Sequence, residues 1–143
     1  MSNWLLLHYK LPPEPSALRV HVWRRLKRLG AVFFQDAVWV LPNTSRTLEQ
    51  FQWLAAEIVE MGGEAALWKS TPTLPSNVET LAIQFQEQTD QAYKEILKKL
   101  EKHNPDLEAL SRQYQQIRAR DYFQSQIGED VRTALLSKRG VQS

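Results

Sequence analysis

A mixed α+β class is predicted by three observations. Short apolar runs bounded by proline or glycine alternate with helix-spaced stripes over residues 1–75, a glycine closes the first stripe and a glycine pair the second, and beyond residue 75 the pattern becomes wholly helical. The expected order in residues 1–75 is β-α-β-β-α-β, a ferredoxin-like sheet domain with both helices on one face of four antiparallel strands. Residues 76–143 are expected to form a C-terminal helical hairpin, a helical extension packed on that sheet or on a dimer partner.

Asn3 to Leu11 is rich in Leu, Trp and Tyr and stops at Pro12-Pro13, which supply no ladder donors, so it is read as a strand. Ser16 can then cap a helix from Ala17 to Leu29. At 100° per residue Leu18, Val22, Leu26 and Leu29 share one arc, while His21, Arg24, Arg25 and Arg28 lie opposite. Gly30 ends the helix as a residue that tolerates the left-handed conformation. Ala31 to Phe34 and Val38 to Leu41 form a hairpin around Gln35-Asp36-Ala37, and Pro42 closes its second arm.

Thr44 or Ser45 caps a second helix, with Glu49 placed early enough to favour the positive end of its dipole. Its apolar series runs through Leu48, Phe51, Leu54 or Ala55, Ile58 and Met61 to the stop at Gly62-Gly63, and Glu64 to Lys69 is the last strand. From Ser76 to Asn104 neither glycine nor proline occurs. Val78, Leu81, Phe85, Ala92, Ile96 and Leu100 mark one side of a long helix, interrupted at Gln88 and Thr89. Asn104-Pro105 signals a new start, with Asn104 as cap, and the next stripe is Leu107, Leu110, Tyr114 and Ile117. Gly128 to Arg139 is compatible with one more helix.

Composition narrows the function classes. With 143 residues and 43% hydrophobic content, the chain can bury one main core. It has no cysteine, which excludes disulfides and thiolate chemistry, and the first residues lack the pattern of a signal peptide, so a cytoplasmic location is expected. The net charge of +2 conceals segregation: Arg19, Arg24, Arg25, Lys27 and Arg28 put +5 on the first helix, leaving −3 for the remainder. Five cations on one helix, with no acid among them, suit a phosphate-rich partner. They equally suit a solvated outer face whose long stems cover apolar neighbours, and both readings stand at this level.

The other candidates carry less. Arg118 and Asp121 are spaced to pair on a helix, alongside Arg112 and Arg120, and Lys138-Arg139 near the end has no assigned role. Trp4, Trp39 and Trp68 fall on strands and Trp23 and Trp53 on helices, where core or dimer-interface burial outweighs base stacking. His8, His21 and His103 are scattered, no metal-ligand spacing or phosphate-cradling loop exists, and Asp36 is a turn acid. Neither enzymatic activity nor a cofactor or metal is expected.

Five stretches resemble a known family: WLLL (Trp4 to Leu7), VWRRLKRLGAV (Val22 to Val32), QDAVWVLP (Gln35 to Pro42), EQFQWLAAEI (Glu49 to Ile58) and IRARDYF (Ile117 to Phe123). Over nearly the whole chain they resemble the amino-terminal domain of the ChrB chromate-resistance regulators. The resemblance implies a bacterial cytoplasmic regulator that represses a chromate-efflux operon and releases it when chromate is present. Proteins of that family carry a carboxy-terminal domain to which sensing is attributed. This chain ends at Ser143, so the expectation is a module lacking that domain, with a separate sensing-domain protein as a candidate partner.

A weaker similarity, in Gly30 and Val38 to Pro42, is to the ferredoxin-like domain of PaaX-type repressors and of the CRISPR spacer-acquisition nuclease. That nuclease needs an aspartate near the end of its first strand, where this chain has His8 to Leu11 and no acid before Glu14. A symmetric dimer is implied by the same analogy. The expected partners are therefore double-stranded operator DNA and a second copy of the chain, with no membrane. Expected nucleic-acid contacts are Arg24, Arg25, Lys27 and Arg28, joined by His21 on the same arc and by Arg46 at the second helix start. The alternatives are a non-enzymatic dimerisation or protein-interaction module and an arginine-based oxyanion sensor.

Overall fold

Leu5 and Leu7 alternate with Trp4 and Leu6, so the first strand can bury side chains on both faces and belongs at the centre of a sheet. The computed structural model describes residues 4–34 and 38–142 and places it there. Strand β1 (Trp4–Lys10) pairs antiparallel with β3 (Val38–Pro42) on one side and β4 (Glu64–Ser70) on the other, and β2 (Val32–Phe34) pairs with β3 at the edge. The strand order is β2-β3-β1-β4. Edge β2 has three residues, and edge β4 exposes Glu64, Trp68 and Lys69; shortness and charge both discourage further pairing. The Gln35-Asp36-Ala37 turn lies outside the described residues, although the Phe34↔Val38 pairing on either side has hairpin register.

Helices α1 (Ser16–Leu29) and α2 (Ser45–Glu60) complete the order β1-α1-β2-β3-α2-β4. Val22 and Leu26 from α1, and Phe51, Leu54 and Ile58 from α2, are fully buried, as are Leu5, Leu7 and Leu41 of the sheet. Each such side chain contributes about 1.5–3 kcal/mol of transfer free energy. Register sets the sheet's two faces: Leu5, Leu7, Tyr9, Trp39 and Leu41 share one, and Leu6, His8, Val38, Val40 and Trp68 share the other.

The helix boundaries follow identifiable hydrogen bonds. Gly30 has φ 78°, and the Gly30 and Ala31 N–H groups donate to the Lys27 and Leu26 carbonyls at 3.1 Å each, a Schellman stop. Gly63 is required by space: a Cβ there would stand 2.5 Å from the Lys10 carbonyl oxygen. The cap of α1 is extended Pro15, and Ser16 is the first helical residue, without a side-chain capping bond. Thr44 caps α2 in a reciprocal box with Thr47. Thr47, which the apolar series passes over, is 1% exposed, and its hydroxyl donates to the Pro42 carbonyl at 2.5 Å.

The chain divides into two compact units, Met1–Val78 and Glu79–Ser143. Helix α3 (Pro75–Leu100) begins at the boundary, followed by α4 (Leu107–Arg118) and α5 (Gln126–Gln142). Tyr93, Ile96, Leu100, Leu107, Leu110, Tyr114, Ile117, Val131 and Leu135 form the core of the second unit. The α3 stripe continues through its polar interruption, because buried Thr89 donates its hydroxyl to the Phe85 carbonyl at 2.8 Å. Tyr93 then replaces Ala92 as the buried residue. The side chain of Val78 lies outside the described residues.

Three expectations are corrected here. Asn104 does not cap α4; it sits at φ 57°, and Asp106 caps by accepting the Ala109 N–H at 3.1 Å. An N-cap residue needs extended backbone, which Asp106 has at φ −79° and ψ 90° and Asn104 does not, so the helix starts beyond Pro105. Arg118 and Asp121 do not form a helical pair, because α4 ends between them. Asp121 instead accepts the Tyr93 hydroxyl at 3.0 Å and the Ser125 N–H at 3.1 Å. Arg139 does have a contact, donating to the Ser111 hydroxyl at 2.8 Å. Among the described residues no helix is long and apolar enough to cross a membrane.

Candidate nucleic-acid interface

The helical period that buries Val22 and Leu26 turns the intervening cations outward. Arg19, Arg24, Lys27 and Arg28 are exposed on α1, and Leu18 and Leu29 flank the buried stripe at half-burial. Lys27 and Arg28 lie in the last turn, where they also complement the negative end of the helix dipole. Part of the cationic pattern is thus structural, whatever the partner.

A shallow groove along this outer face is lined by His21, Arg24, Lys27 and Arg28 together with Ala17, Val20 and Trp23. Four of the six expected contact residues are therefore brought together. Arg25 turns away: its guanidinium lies 3.5 Å from Oε2 of Glu57 on α2, and the His21 Nε2 lies 2.5 Å from Oε1 of the same carboxylate. Arg46, exposed in the first turn of α2, does not line the groove and lies about 16 Å of helix rise from Glu57. Among the described residues neither Arg24 nor Arg28 forms an ion pair.

Two features lie outside the sequence reading of the charge. Glu57 supplies an acid to a helix that has none of its own, from 36 positions away in the chain. The wheel of α2 offers only a faint signal, an acid bordering the buried Leu54 and Ile58. Trp23, expected in the core or a dimer interface, is 50% exposed in the single chain and so lies outside the core, and the Lys27 ammonium stands 5.7 Å from its ring centroid, within cation–π range. Val20, one turn earlier, is 44% exposed, so an apolar ridge runs through the cations. Trp53 and Trp68 are also exposed, whereas Trp4 and Trp39 are buried.

Tyr9, below the start of α1, has its hydroxyl pKa raised by burial, an effect partly offset by a hydrogen bond with Trp39. In the second unit, burial and then the Asp121 carboxylate push the Tyr93 hydroxyl up strongly. Of the looser arginine set, Arg112 pairs with Glu108 at 3.4 Å. Among the described residues no three His, Asp or Glu side chains gather as a metal cluster would.

Residues 19–106, more than half of the chain, match the family described as Protein ChrB, N-terminal. Three of the five resembling stretches fall within that span, while Trp4 to Leu7 and Ile117 to Phe123 lie outside it. Protein ChrB of Cupriavidus metallidurans is 36% identical over 63 residues, which cover 44% of this chain and 19% of that protein. The chain thus matches about a fifth of that relative's length. No solved structure matches.

Proposed function

The chain belongs to the ChrB amino-terminal family, and from that premise we propose that it is a non-catalytic DNA-binding module of chromate-resistance regulation, built on a ferredoxin-like sheet and acting in the cytoplasm. The observation that carries the reading is the outer face of α1. Arg24, Lys27 and Arg28 share one groove, and the Glu57 carboxylate is occupied with His21 and Arg25 on the flank. Arg24 and Arg28 are separated by about 6 Å of helix rise, comparable with two axial steps of roughly 3.4 Å between phosphates of one DNA strand. The cations contact phosphate, which gives affinity and orientation but no base sequence. The expected assembly is a homodimer, which would double the footprint.

Duplex DNA titrated over a series of salt concentrations tests the reading. Each phosphate neutralised contributes about 0.9 to the slope of log K against log salt, so Arg24→Ala/Arg28→Ala should flatten it by about 1.8 and weaken binding at every salt. A solvated, unoccupied face predicts no binding even at low salt, and that result would refute the proposal.

A further inference from the structure

We propose that Trp23 is a stacking platform for an unpaired nucleobase, with the cations on either side of it holding the flanking phosphates. The proposal rests on the DNA-binding reading above and deepens it by naming the form of nucleic acid this face prefers.

Trp23 occupies an outward position between two buried ones, and its exposure serves no packing role in the first unit. It lies between two grooves. One contains Arg24, Lys27 and Arg28; the other is lined by Tyr9, Leu11 and Arg19; Val20 and Trp23 line both. The indole is thus a ridge with cations on each side, and Lys27 packs against its ring. A partner that places a flat apolar surface between two anionic groups complements this arrangement, and a nucleotide strand with an unstacked base has that character. In an intact duplex the faces of the bases are covered by their neighbours.

Such a face could also meet an anionic lipid surface. The apolar ridge consists of Val20 and Trp23, with small Ala17 beside them, on a helix whose Val22 and Leu26 are buried and whose Leu18 and Leu29 flank them half-buried, so little apolar area remains to insert into a bilayer.

The test uses the whole chain with a fifteen-nucleotide deoxythymidine strand and, separately, a duplex and anionic phosphatidylglycerol vesicles. Trp23→Ala should weaken binding of the single strand by about tenfold, the loss of one stacked base, and leave the salt slope unchanged because no charge is removed. Trp23→Phe should retain most of the affinity but lose the tryptophan quenching that accompanies binding. Trp68→Ala, on the sheet face opposite Tyr9, should change neither. A thermal melt of each variant confirms folding.

The outcomes separate the two readings. Duplex binding that depends on Arg24 and Arg28, with the single strand bound no better by wild type than by Trp23→Ala, would overturn the stacking role and leave the phosphate-contact reading in place. Binding to neither nucleic acid would overturn both. Trp23-dependent binding to vesicles, with none to the oligonucleotide, would assign the ridge to a lipid surface and overturn the proposal.

Discussion

Removing the charge of Glu57 should strengthen DNA binding, because the structure makes that carboxylate the counter-ion of the candidate face. Its two oxygens engage His21 at 2.5 Å and Arg25 at 3.5 Å, and its side chain is 29% exposed. With Arg25 neutralised, the groove cations proposed to meet phosphate are Arg24, Lys27 and Arg28, which would correspond to a salt slope near −2.7 per chain at about −0.9 for each phosphate. Glu57→Gln preserves shape and an acceptor oxygen for His21 while releasing Arg25. The slope should steepen to about −3.6, and the extra contact is worth about eightfold in affinity at roughly 0.1 M salt relative to 1 M.

The cost to folding is small. Partly exposed ion pairs contribute about 0–1 kcal/mol, so the variant should lose less than about 1 kcal/mol in urea unfolding. Fluorescence anisotropy with a labelled duplex at four or five salt concentrations measures the slope. A slope unchanged from wild type in a folded variant would mean that Arg25 does not reach phosphate when released, and the reasoning about Glu57 would fail. A shallower slope would contradict it outright.

Three stability predictions address the two cores. Gly128→Ala and Gly140→Ala make the same change in α5 with opposite expected signs: a Cβ at Gly128 would stand 2.7 Å from the ring of buried Tyr93, whereas at Gly140 nothing lies within 4 Å. Urea unfolding should show the first losing about 1–3 kcal/mol to overpacking and the second gaining up to about 1 kcal/mol from helix propensity, and equal signs would discredit the placement of α5 on Tyr93. Thr47→Val should cost about 1–3 kcal/mol, measured by thermal melting, because it leaves the Pro42 carbonyl and Thr44 N–H without their partner. The Tyr93 hydroxyl titrates higher folded than its unfolded value near 10, so its contribution is complete below pH 10 and is lost as pH rises through the folded value. Unfolding free energy should therefore fall by up to about 1.4 kcal/mol per pH unit above pH 10, and Tyr93→Phe should remove that part of the dependence.

Much of the secondary structure was legible because its causes are local. The stripe Leu18, Val22, Leu26 and Leu29, the stop at Gly30 and the hairpin arms beside Pro42 each reflect a side-chain period or a backbone constraint carried within a few residues. Errors clustered where a polar group had an alternative use. Thr89 looks like a break in an apolar series until its hydroxyl finds a carbonyl partner, Thr47 is buried ahead of the α2 series by the same kind of bond, and the Tyr93 hydroxyl can enter the core because it donates a hydrogen bond to Asp121. The start of α4 falls later than expected for a related reason, since both Asn104 and Asp106 are capable caps and only Asp106 has the extended backbone a cap needs.

By itself, then, the sequence determined that α1 is amphipathic and that its outer arc is cationic, since both depend only on a period of 3.6 residues. Which of those cations remain available was decided by the packing of α2, which brings Glu57 to His21 and Arg25 and leaves Arg24 and Arg28 outside that pairing. The exposure of Trp23 has the same origin: an aromatic on a helix is buried or bare according to what packs beside it, and that is a property of neighbours distant in the chain.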